Sequence, residues 1–306
     1  MFERIALIGV GLVGSSIALG VRCEGLAKTI AATARSALTR EIVAQKRLAD
    51  VVTVSAAEAV AGADLVILCT PLGAYRGLME EIAPHLAAGA ILSDVGSVKQ
   101  AVVRDVGPLV PEGVHFIPGH PVAGTEQSGP EAGFAELFHD RWCILTPPPG
   151  TDPAALKALS AFWHGLGSRV ETMDPGHHDL VLGITSHLPH LIAYNIVGTA
   201  SDLEEVTQGE VIKYSAGGFR DFTRIAASDP IMWRDVFLNN REAVLEVLGR
   251  FTEDLAVLQR AIRWGDGEAL FDLFTRTRAI RRGIIEAGQE TAAPDFGRPH
   301  GEEADG

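Results

Sequence analysis

The feature that most restricts the fold is ALIGVGLVGSS at positions 6–16, an apolar strand-like run that passes through three glycines into helical spacing. Gly9, Gly11 and Gly14, with Leu12 and Val13 between the last two, stand in G-x-G-x-x-G order. The first glycine suits a tight turn, the second a backbone that approaches a pyrophosphate, and the third a helix packed closely on a strand. The helix start then offers N–H groups and a partial positive charge to an anion. A bare glycine motif is a weak signal. This one lies between a strand and a helix at the head of an alternating pattern, and that context points to a dinucleotide.

The alternation continues. TIAATA (29–34), ADLVILCTP (63–71) and GAILSDVGS (89–97) read as buried strands, with helical spacing in TREIVAQKRL (39–48) and AYRGLMEEIAPHL (74–86). HFIPG (115–119), RWCILTP (141–147) and SRVETM (168–173) read as later strands of the series. The expected fold is α/β: an N-terminal, doubly wound, Rossmann-type parallel sheet over 1–173. From Pro175 onward the periodicity is helical throughout, so 174–288 reads as an all-helical domain. Its apolar content predicts burial in a homodimer interface. Residues 289–306 are polar, acidic and aperiodic, and read as a disordered tail.

Composition narrows the function classes. Apolar residues make up 47%, ample for a core, and no uninterrupted apolar run suggests a membrane span. The opening MFERIALIG lacks the basic and apolar segments of an export signal, and the three widely spaced cysteines fit reduced thiols, so a cytoplasmic protein is expected. A net charge of −13 without a basic stripe argues against nucleic acid, though not against a small anionic substrate.

Cofactor specificity belongs at the end of the second strand, where an acid would bind a ribose hydroxyl. The residues there are Thr33, Ala34, Arg35 and Ser36, with no carboxylate before Glu41. That set favours NADP over NAD, unless Arg35 only stacks or faces solvent. Cys69, Thr70 and Pro71, ending the fourth strand, would lie against the cofactor.

GHPVAGTEQSG (119–129) places His120 among helix-breaking small residues, which reads as a loop that is either structural or turned to a ligand. SDVGSVK (93–99) ends the strand before it, so Ser97 could fix the tautomer of His120. TSHLPH (185–190) and SAGGFRDFTRIAASDPIMW (215–233) follow. On a continuous helix Arg220 and Arg224 would share a face. No carboxylate or cysteine completes a ligand set around His177, His178, His187 and His190, so no metal is expected.

Taken in order over roughly residues 4–285, these motifs resemble the prephenate/arogenate (cyclohexadienyl) dehydrogenase family of tyrosine biosynthesis. The resemblance implies oxidative decarboxylation of a cyclohexadienyl diacid with hydride transfer to NAD(P)+, either prephenate to 4-hydroxyphenylpyruvate or arogenate to tyrosine. It assigns hydroxyl polarisation to His120, its orientation to Ser97, and a substrate carboxylate to Arg224. Thr125, Glu126, His190 and Trp233 would line the substrate pocket, with Ser186 near the nicotinamide. Glu131 falls where arogenate users of the family place an acid, although an acid at a helix start is equally explained by the helix dipole. Two other readings stay open. A β-hydroxyacid-type dehydrogenase would need a lysine in the helical half, where Lys213 stands alone; a non-catalytic NADP-binding sensor would keep only the fold.

Overall fold

The computed structural model describes residues 2–204, 213 and 216–286. The chain parts into two compact units, one ending at Val247 and one beginning at Leu248. The first unit opens with β1 (Phe2–Ile8), α1 (Leu12–Glu24), β2 (Ala27–Thr33), α2 (Ala37–Gln45), β3 (Val51–Thr53) and α3 (Ala56–Val60). It continues through β4 (Leu65–Leu68), α4 (Tyr75–Ile82), β5 (Ile91–Asp94), α5 (Lys99–Val106) and β6 (His115–Phe116). The six strands pair in parallel in the order β3-β2-β1-β4-β5-β6. Order reverses between β1 and β4, and in such sheets ligands bind beyond the carboxyl ends of the strands at that point.

Burial on both faces explains the near-continuous apolar strands. Ile5 and Leu7 of β1 join one core with Ile17, Val21 and Trp163, while Ala6 and Ile8 join a second with Met79, Leu92 and Val102.

The later strands depart from the expected series. β7 (Gly119–Pro121), β8 (Trp142–Leu145) and β9 (Arg169–Thr172) form a separate three-stranded sheet, with α6 (Pro153–Gly165) between β8 and β9. β7 runs antiparallel to β8, and β9 parallel to it. The ladder to β5 ends at Ile117, whose N–H reaches Leu92 O: the next N–H on that side, of Gly119, goes to the Asp94 side chain, and Pro118 O accepts Thr146 N–H just beyond β8. His120 therefore sits in a buried strand, not on a loop.

Helical elements follow: α7 (Pro175–Leu182), a π turn (Gly183–His187), α8 (Leu188–Glu204), α9 (Gly217–Thr223), α10 (Pro230–Asn239), α11 (Arg241–Trp264) and α12 (Gly267–Glu286). The continuous stretch Pro175–Asp202 is long and apolar enough to cross a membrane by length and composition alone, with a mean hydropathy of 1.3. This stretch departs from the expectation that no apolar run suggests a membrane span. It carries the buried polar residues His178, Asp179 and His187, whose partners lie on other elements. The tail expected at 289–306 lies outside the described residues.

Candidate active site

At the carboxyl end of β1 the three glycines are used for three different reasons. Gly9 has φ +98°, and a Cβ there would stand 2.8 Å from the Thr70 methyl and 2.9 Å from the Cys69 carbonyl carbon. Gly14 lies so close that its Cβ would meet Gly9 O at 2.5 Å. A Cβ on Gly11 would meet nothing within 4 Å, so this glycine leaves open space in front of a helix start that no side chain caps. Thr70 Oγ1 is buried without a hydrogen-bond partner among the described residues. An open, uncapped helix start beside an orphaned hydroxyl fits a dinucleotide's phosphates.

Around β2 the cofactor candidates differ in what they are free to do. The Thr33 hydroxyl donates to Thr53 O at 2.9 Å, and the Ser36 hydroxyl caps α2 through Thr39 N–H. Arg35 is exposed, while Arg40, which the sequence reading did not name, donates to Ala34 O at 2.6 Å and Arg35 O at 2.9 Å.

His120 projects from β7 into a buried polar cluster. Its Nδ1 lies 2.8 Å from His178 Nε2, and His178 Nδ1 lies 2.8 Å from Asp179 Oδ1. An ionised carboxylate only accepts, so His178 donates from Nδ1 and its Nε2 is an acceptor. His120 must then donate from Nδ1, which leaves its Nε2 bare as a proton acceptor. Burial, with the neighbouring His178, Lys99 and His187, holds the His120 imidazole well below its ordinary range and therefore neutral.

Asp179 also accepts the amides of Lys99 and Gln100 at 2.7 and 2.9 Å, tying α7 to the start of α5. The tautomer of His120 is thus set by His178 and not, as expected, by Ser97. Ser97 is half-buried, and its hydroxyl makes no hydrogen bond to His120 among the described residues. The adjacent His-Asp pair at the start of a helix was the available signal for this arrangement.

The π turn decides where the next histidines point. In a regular α-helix nine residues separate faces by roughly 180°. One extra residue in the turn brings His187 back to roughly 80° from His178. Pro189 follows directly, lacking an N–H and crowding the preceding turn, and Leu188 N–H reaches Gly183 O across the wider loop. Asn240 joins both segments, donating to Asp179 O at 2.8 Å and to His187 Nδ1 at 2.9 Å. Burial pushes His187 down to about 4.

His190 donates from Nδ1 to Ser186 O at 2.8 Å, so Ser186 contributes through its backbone and Nε2 of His190 is left to accept. The ring stacks on Trp233, centroids 3.6 Å apart. Trp233 also meets His187 edge-on at 6.0 Å and is buried.

Arg224 follows the end of α9 and opens a 3₁₀ turn, so Arg220 and Arg224 do not share one α-helical face; Arg220 is exposed. Arg224 Nη1 donates to Glu126 Oε2 at 3.0 Å, linking it to the loop after His120. Thr125, beside Glu126, is half-buried and accepts Gln127 N–H at 3.1 Å. Glu131 is not brought to this group. It sits in a 3₁₀ turn packed on α1 and α2, largely exposed, with its carboxylate 4.0 Å from Lys46. The position expected to meet an arogenate ammonium therefore faces the nucleotide-side helices, because the chain crosses α1 between Glu126 and Phe134.

Two family models match the chain: the nucleotide-binding domain of prephenate dehydrogenase over residues 17–172, and its dimerization domain over 174–276. The chain belongs to the prephenate dehydrogenase family. A cyclohexadienyl dehydrogenase of Zymomonas mobilis is 41% identical over 281 residues, covering 92% of this chain and 96% of that one. A prephenate dehydrogenase of Bacillus subtilis is 33% identical, over 97% of this chain and 80% of that one. The crystal structure of Aquifex aeolicus prephenate dehydrogenase, in complex with hydroxyphenyl propionate and NAD+, superposes with a TM-score of 0.86. It is 33% identical and covers 93% of this chain and 99% of that one.

Proposed function

We propose that this family member oxidatively decarboxylates a cyclohexadienyl diacid, prephenate or arogenate, with NAD(P)+ as hydride acceptor. The observation that carries this reading is His120, buried and neutral, with Nε2 bare because His178 and Asp179 hold its other nitrogen. Nε2 accepts the proton of the ring hydroxyl as the carbon bearing it loses hydride and the C–O bond gains double-bond character. The ring carboxylate leaves as CO2, and its bonding pair enters the ring. The proton returns to oxygen as the ring becomes a phenol. Arg224 binds the side-chain carboxylate in a charge-assisted contact, with Glu126 holding the guanidinium beforehand. His190, stacked on Trp233, offers a neutral acceptor beside it.

When bound, NAD(P)+ supplies the two-electron oxidant; Gly9, Gly11 and Gly14 with the start of α1 would hold its pyrophosphate, and Thr70 its nicotinamide half. Arg35, exposed where no carboxylate stands, supports NADP+ over NAD+. The 41% identity to a cyclohexadienyl dehydrogenase supports use of either diacid. Exposed Phe271, Phe274, Ile280 and Ile284 on α12 support a homodimer through the helical half beginning at 174.

The β-hydroxyacid alternative gains nothing from Lys213, which is exposed, nor from Lys99, whose ammonium is fully buried on Asp94 and Gly119 O. The test is reduced-nucleotide fluorescence with prephenate or arogenate against NAD+ or NADP+. Turnover of at least one diacid, fastest with NADP+, is expected; none in any combination overturns the reading.

A further inference from the structure

We propose that the buried pair Asp94–Lys99 is a positioning device for His120, gripping both polar groups of the Gly119 backbone so that the imidazole meets its substrate in one orientation. This rests on the reading of His120 as the proton acceptor.

Asp94 ends β5, Lys99 opens α5, and the turn Val95–Val98 brings their side chains together with no exposure of either residue. Lys99 Nζ lies 2.6 Å from Asp94 Oδ2 and 2.6 Å from Gly119 O. Asp94 Oδ1 accepts Gly119 N–H at 3.1 Å, and Oδ2 also accepts Gly96 N–H at 2.7 Å. One ion pair therefore takes the N–H and the C=O of the residue immediately before His120. A Cβ on Gly119 would stand 3.1 Å from Asp94 O and 3.3 Å from Ser93 Oγ, so any larger residue in this close seat on β5 would push its neighbours by a few tenths of an ångström.

The grip is continuous with the tautomer relay. The amide of Lys99 itself is bound by Asp179, which orients His178, which pairs with His120. His120 is thus held through its ring on one side and through its backbone on the other. A buried ion pair is a poor source of stability, because desolvation offsets its attraction and an apolar pair of like volume serves as well. Here the two charges fix one peptide that no local turn chemistry would fix.

The ammonium also acts on the imidazole by charge. The titratable groups facing His120 are Asp94 from β5, Lys99 from α5, Cys143 from β8, His178 and Asp179 from α7, and His187 from the π turn. Among the causes that hold His120 neutral, burial comes first, followed by His178 and then Lys99. Removing the ammonium lets His120 take up a proton at higher pH.

The deciding variant is Asp94→Asn combined with Lys99→Met, which leaves no buried charge unpaired, compared with wild type and with Lys99→Met alone. Relative to wild type, kcat should fall about 10- to 100-fold, as for a slightly misplaced acceptor, with KM for the diacid within about twofold. The acid limb of kcat/KM should move up by about half to one pH unit. Wild-type kcat with an unmoved limb overturns the proposal, and so does a loss of kcat in which the limb stays put, since that is mere structural damage. The His120 ring titration, followed by NMR and assigned by its absence in His120→Asn, should move the same way without any substrate. If wild type turns over neither diacid, the functional reading fails, and the NMR shift alone decides the positioning role. If the double variant does not bind nucleotide, Lys99→Met decides by the same readouts.

Discussion

The inner and outer ends of this site are built differently. Inside, the side chains of Lys99, Asp94, His178 and Asp179 are between 0 and 4% exposed; Lys99 pairs with Asp94 and His178 with Asp179 through short bonds, and the Lys99 amide joins the two pairs through Asp179. At the outer end, the Arg224 and Glu126 side chains are 36% and 24% exposed and meet through one guanidinium nitrogen at 3.0 Å. Low dielectric and full hydrogen bonding make the inner end rigid and keep its imidazoles neutral. Partial solvation keeps the outer pair weak, so a carboxylate ligand can compete for Arg224. The inner end is built for the chemical step and the outer end for capture.

The sharpest way to break this contrast is His120→Asn. It should lower kcat about 1,000-fold with KM little changed, read by steady-state kinetics; loss of binding with normal kcat would reverse the assignment. Next comes Asp179→Asn, which removes the reason His178 presents a bare Nε2. It should lower kcat about 100-fold through the wrong tautomer, and it should also cost stability by uncapping α5.

Acid tests the inner end as a whole. His187 titrates at about 4 in the folded chain, below an ordinary histidine near 6.5. The unfolded chain therefore binds the proton first, and stability falls as pH drops from about 6.5 to about 4. This one group accounts for about 3 kcal/mol of that loss, read by urea denaturation at several pH values. His187→Gln should flatten the decline.

At the outer end Arg224→Lys keeps the charge and loses the planar fork. It should raise KM about 10-fold while kcat changes less than threefold, the opposite split from His120→Asn. The smallest effect is expected at Arg35→Ala, which should lower the preference for NADP+ over NAD+ by about three- to fivefold in kcat/KM, leaving turnover with NAD+ unchanged.

These two ends were also unequally legible. Arg224 and the glycine loop could be named because they stand in contiguous motifs, where neighbouring residues supply the context. The His120 relay could not. His178 is 58 residues from His120, and Lys99 grips a carbonyl 20 residues away. Glu131 lies apart from Arg224 for the converse reason: its place in the sequence near Glu126 says nothing about the loop's course across α1.

Sequence by itself determined the alternation of buried strands and helices, the dinucleotide turn at Gly9–Gly14, and membership in a family whose motifs run in order through both halves. Those features are local, set by apolar period, backbone freedom and short spacings. Only the tertiary structure decided that β7 leaves the main sheet at Pro118, that a π turn returns His187 to the face of His178, and that Asp94 and Lys99 clasp Gly119. Each of these depends on which distant N–H, carbonyl or imidazole is available as a partner, because a buried polar group must find one wherever the fold brings it.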